Sequence, residues 1–189
     1  TGGTTINAGT IALGASNVLA NTGALTINGG TLALGSYSDT VAAVTIGTSG
    51  GSITSTTGVL TGSSYTFNNA SAASISAILA GTSGLTQSGS GTTTLSGANT
   101  YTGNNALSAG TVVLSGNGTL GSSANNLTMS GTAALDLQRA LTVGNLVMAS
   151  ANTITNSAGI ASLTVSGSSS LGGSITTSGN QTYTGATIL

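Results

Sequence analysis

LTQSGSGTTTLSGANTYTG, residues 85–103, carries no charge, no proline and no cysteine. The residues in it fitted to burial are Leu85, Leu95 and Tyr101. Near its centre lies GSGTTTL (89–95), a glycine followed by alternating positions, and the same shape returns along the chain. NAGTIAL (7–13), NGGTLAL (28–34), SGGSITS (49–55), SAGTVVL (108–114) and MSGTAALDL (129–137) are the other copies. Their anchoring glycines are Gly9, Gly30, Gly51, Gly91, Gly110 and Gly131, with gaps of 21, 21, 40, 19 and 21 residues. Counting the long gap as two steps gives about 20 residues per step, the mark of stacked supersecondary units.

Other markers share this frame. TYTG stands at 100–103 and at 182–185, and TGATIL (184–189) repeats the Thr, Gly and Thr of TGGTTI (1–6). Only 138–165 fits poorly, because LTVGNLVM and ASLTVSG break the spacing. Inside each copy apolar residues alternate, as in Leu32 and Leu34 or Val112 and Leu114. Period two places one strand face inward. SAASISAILAG (71–81) is the one segment whose pattern is ambiguous.

A coil of about 20 residues cannot bury its inner face alone, but stacked coils can. The predicted fold is therefore all-β, a right-handed parallel β-helix (β-solenoid) of about nine coils, with residues 1–189 forming one domain. Parallel crossovers favour the right hand. The absence of proline follows, since an interior strand must donate every amide to the ladder.

Composition narrows the function. Among 189 residues there are one basic and two acidic side chains, Arg139, Asp39 and Asp136, and no His or Cys. Thr and Ser number 64, about a third of the chain, and Gly adds 31. Disorder would pair low hydrophobicity with high charge, whereas here 38% of residues are hydrophobic and the formal charge is −1. Nucleic-acid binding lacks the cations it needs, and no apolar run is long enough for membrane insertion. No cofactor, metal or disulfide is expected.

Enzymatic activity is not expected either. Glycoside cleavage by paired carboxylates needs them about 5–9.5 Å apart, and Asp39 and Asp136 are 97 residues apart, nearly five coils. No histidine or lysine is present to act as a base. Asp136 and Arg139 read as a surface ion pair at a turn, worth about 0–1 kcal/mol.

Tyr37, Tyr65, Phe67, Tyr101 and Tyr183 are the aromatics. Tyr101 and Tyr183 share a phase and are the candidate glycan contacts, although such residues also cap a core at its corners. Asn69, Asn117, Asn126 and Asn180 open N-x-S/T triplets, which this composition produces by chance. Ice binding would need threonines in phase, and an even step places Thr94 with Ala12, Ala33, Thr54 and Val113, a broken ladder.

Residues 85–103 together with TGGTTINAGTIALG (1–14) resemble the autotransporter-associated β-strand repeat, LxKxGxGTLTLSGxNTYTGGTTINAGTL. Leu85, Gly89, Gly91, Thr92, Leu95 to Gly97, Asn99 to Gly103 and Thr1 to Gly9 fall on that pattern. Gln87 replaces its Lys, Thr93 its Leu, and NNALSAG (104–110) its GTTINAG. The resemblance implies a passenger region of a large bacterial surface protein, extracellular or held at the outer membrane, folded as a right-handed parallel β-helix.

Two functions suit such a rod. One is structural, a cell-surface rod or filament segment associating end to end. The other is an adhesin passenger that binds glycans or host surfaces. Solenoid ends normally carry atypical capping coils, and here ordinary repeat sequence occupies both ends. The expected partner is therefore another length of solenoid, by covalent continuation or head-to-tail stacking.

Overall fold

The computed structural model describes residues 2–189; Thr1, the first residue of the TGGTTI match, lies outside them. Among the described residues the secondary structure is entirely strand and turn. Twenty-three short strands form sheets of eleven, nine and three strands, and every pairing is parallel. Each turn of chain places one strand in the first sheet and then one in the second, so every strand rests on its equivalent from the previous coil.

One outward-facing column of the first sheet counts the coils. It runs Thr5, Thr26, Thr45, Thr66, Thr86, Ala106, Thr128, Val147, Ser170, Ile188. Nine steps across these residues average about 20 residues each, and the terminal match of TGATIL to TGGTTI is the first and last rung of this stack. At ~4.8 Å per rung the ladder rises about 43 Å.

The spacing is less even than the glycine anchors imply. Coils range from 18 residues (Ser170 to Ile188) to 23 (Val147 to Ser170). Gly51 faces Ala73, which faces Thr93, so Gly91 is not in phase with Gly51. Likewise Thr111 faces Ala134, which removes Gly131 from the phase of Gly110. The surplus residues sit in corner turns, and a two-residue shift keeps each side chain on its own face.

The ambiguous segment 71–81 resolves into two strands, Ala73–Ile75 and Ile78–Ala80. The poor fit of 138–165 also has a cause. Leu141–Val143 and Leu163–Val165 stack on each other and on Gln181–Tyr183 as a third sheet. LTVGNLVM thus contains two strands of different sheets, and two interleaved series look irregular when read as one.

The core is a set of columns along the axis. Leu32, Ile53, Ile75, Leu95, Leu114 and Leu137 follow one another in the second sheet, all fully buried. Each contributes about 1.5–3 kcal/mol of burial. Corners are stitched by asparagine. The Asn104 Oδ1 accepts from the Asn126 amide at 2.9 Å, Asn126 Oδ1 from Asn145 at 2.8 Å, and Asn145 Oδ1 from Ser168 at 2.7 Å.

Candidate functional site

Tyr101, the foremost glycan candidate, is fully buried. Its hydroxyl donates to Asn105 Oδ1 at 2.8 Å, and its ring lies 5.8 Å from that of Tyr65, tilted by 38°. Burial, with Tyr65 alongside, drives the Tyr101 phenol far above its ordinary range. A ring enclosed in this way offers no face to a sugar, and its burial removes Tyr101 as a glycan contact. Tyr183 is half-buried against the core in the last coils and donates to Gln181 Oε1 at 2.9 Å. Tyr183 ends the strand Gln181–Tyr183 and stacks on Val165 and Val143, whereas Tyr101 lies outside the strands, its carbonyl accepting from the Ser122 amide.

Tyr65 has the more elaborate role. Its hydroxyl accepts from the Gly62 amide at 2.8 Å and reaches the carbonyls of Leu60 and Ala80 at 2.8 and 2.7 Å. Burial pushes its phenol up to about 12. Phe67 is buried as well, leaving Tyr37 as the exposed aromatic, at 38% of its surface.

The partners of these rings escaped the sequence reading. Asn105 Oδ1 accepts from the Leu85 amide as well as from Tyr101, and its Nδ2 donates to Leu120. Asn99 links the Leu79 amide to the Thr119 carbonyl. These bonds bridge coils about 20 residues apart, and the signal was the recurrence of Asn just before and after Tyr101.

Two of the three departures from the repeat pattern meet. Gln87 and Thr93 are both fully buried, and the Thr93 hydroxyl donates to Gln87 Oε1 at 2.8 Å. Buried Asn69 joins them, so the asparagine of its N-x-S triplet is enclosed in the core although Ala70 and Ser71 are exposed. The Asn126 side chain is engaged in the corner stack, whereas Asn117 and Asn180 are exposed.

Each charged side chain has internal partners. Asp39, 2% exposed, accepts from the amides of Val18, Leu19 and Thr40. Asp136 and Arg139 do not form the expected ion pair. Asp136 accepts from the Ser157 amide and hydroxyl and from Gln138, while Arg139 donates to the Gly116 carbonyl. Burial would raise the Asp136 pKa, but its bonds from Ser157 and Gln138 together outweigh that and hold it below the ordinary carboxylate range. The two carboxylates are separated by about four coils, some 19 Å along the axis.

Hydroxyls line the outside. The threonine column Thr5 to Thr86 runs five rungs without a break, spelled in the sequence as apolar–Thr–apolar triplets such as LTI, VTI and YTF. Thr94 faces Val113 on one side, as the even step assigned, but Ser74 on the other, so Ala12, Ala33 and Thr54 belong to a different column. The column through it is Thr10, Thr31, Ser52, Ser74, Thr94. Each column is a single file; Ala12 and Ala33 flank one and Ala24 and Ala43 the other. Neither has the second threonine rank that would turn a row into a lattice.

Three stretches of the chain, residues 1–13, 18–34 and 85–114, match the family model of the passenger-associated-transport-repeat. No curated protein and no solved structure gives a significant match. Passenger-associated-transport-repeats set in a β-solenoid of about nine turns fit an autotransporter passenger segment, a surface or secreted part of such a protein.

Proposed function

We propose that this chain is a non-enzymatic, extracellular rod segment at the bacterial surface, acting through length and stiffness and associating end to end. The observation carrying this reading is the parallel ladder of the first sheet, continuous from Thr4–Ile6 to Thr187–Ile188. A rod so built is stiffened along its axis by backbone hydrogen bonds and buried columns, with no flexible joint needed between coils.

Charge and edges support association. With a formal charge of −1, little repulsion opposes contact between copies. The strands Thr10–Ala12 and Thr187–Ile188 are exposed and each pairs on one side only, which invites a further strand. Thr187–Ile188 of one unit would pair with Thr4–Ile6 of the next.

Electron microscopy of the concentrated protein tests this. Rods longer than one unit, with an axial repeat of about 48 Å (nine steps within a unit and one between units), are the expected result. Single particles that stay monomeric at high concentration would overturn end-to-end association.

A further inference from the structure

The long strands Asp39–Ile46 and Val59–Phe67 lie side by side, pairing Val41 with Gly62 and, after a skipped position, Ala43 with Ser64. At this point Val59–Phe67 changes its other neighbour. Its first half pairs with Ile78–Ala80 and its second half with Leu85–Gln87. Between these two branches the surface opens into a groove of about 550 Å³, lined among others by Thr40, Val41, Thr61, Gly62, Ser63 and Thr82. Small-molecule sites commonly span about 300–1,000 Å³.

The groove is built rather than incidental. Beneath it the Tyr65 hydroxyl bonds Gly62 and Leu60 of its own strand and Ala80 of the first branch, fixing these two strands to each other under the floor. Gly81 has φ +125°, and a Cβ there would lie 2.4 Å from the Gly62 carbonyl oxygen, so this part of the floor must remain backbone.

The lining selects a chemistry. It holds no charged side chain. Asp39, next to Thr40, already accepts three amides and lies 2% exposed. Around the rim, threonine and serine hydroxyls can each donate and accept. Ala42 and the glycine backbone supply an apolar base, with Val41 buried behind it. A neutral sugar presents the complementary pattern, hydroxyls at its edge and C–H groups on its face. We propose that this groove binds a neutral oligosaccharide. The proposal stands apart from the rod reading and neither needs nor excludes end-to-end association.

With no aromatic platform, affinity should be about millimolar. The test is an amide NMR titration of the full chain with maltotriose, cellotriose and N,N′-diacetylchitobiose, with 3′-sialyllactose as the anionic control. At least one neutral sugar should give saturable shifts confined to residues 21–22, 40–42, 61–63 and 81–82. The double variant Thr40→Val/Thr61→Val should weaken binding about tenfold. Ser63→Phe, at an exposed position, should abolish binding with the rest of the spectrum unchanged, and Thr128→Val on the distant outer face should have no effect. Absence of saturable shifts with all three neutral sugars, shifts centred elsewhere, or equal binding of sialyllactose would overturn the proposal.

Discussion

Residues 85–114 and 127–165 wind on the same ladder with interiors of different polarity, although Leu85, Leu95, Leu107, Val112 and Leu114 give the first an apolar core as well. In the first stretch, which matches the repeat family, the inward strand positions include Gln87, Thr93 and Asn105. In the second, which the family model does not match, they include Leu127, Met129, Leu135, Leu146, Met148 and Ile154. Asn105 and Leu127 are direct neighbours in one column, so a polar rung rests on an apolar one. The backbone ladder accepts either filling. The passenger repeat is one way to close a coil, in which side-chain amides tie neighbouring turns together, and side-chain volume alone is another.

Exchanging the two neighbours probes this most directly. Leu127→Asn buries an amide among apolar groups and should cost about 3–5 kcal/mol. Asn105→Leu leaves the Leu85 amide and the Tyr101 hydroxyl without their partner and takes from the Leu120 carbonyl one of its two donors, and should cost about 2–4 kcal/mol. Urea unfolding followed by circular dichroism measures both. Near-neutral results for either variant would break the distinction between the two interiors.

A finer probe uses Gln87 and Thr93. Each alone, as Gln87→Leu or Thr93→Val, leaves a buried polar group unpaired and should cost about 1–3 kcal/mol. Together they remove both ends of the 2.8 Å bond, so the double variant should fall short of the sum by about 1–2 kcal/mol. Additive costs would mean that these two departures from the repeat pattern do not compensate each other.

Much of this architecture was legible because β-solenoids write their period into the chain. Alternating Leu32 and Leu34, the copies of TYTG and the return of TGGTTI at the end all carried the coil length. Side-chain direction at corners was not legible. Tyr101 has the same letter whether it faces out to a ligand or in to Asn105, and only the local backbone decides. The phase of Thr94 was lost because the coil from Gly51 to Ala73 takes 22 residues, an excess absorbed in a turn. The groove at Gly62 arises where one strand exchanges neighbours, an event of topology that no local motif announces.

Acid titration gives the smallest contrast and concerns the outer edge of the apolar stretch. Asp136 stands on the outward side of the strand Ala134–Leu137, between buried Leu135 and Leu137. Its folded pKa is lowered, so the folded state holds its proton less readily than the unfolded chain does. The resulting stability is present above the unfolded pKa of about 4 and is lost as pH falls through the folded value. The charged acceptor should contribute about 1 kcal/mol. Comparing urea midpoints at neutral and strongly acidic pH, the wild type should lose this increment and Asp136→Asn should lose less. Since Ser157 and Gln138 lie in turns beyond the ladder, the loss should leave the strand spectrum of the folded protein intact. An equal acid response in both proteins would show that these bonds add nothing to the column beneath them.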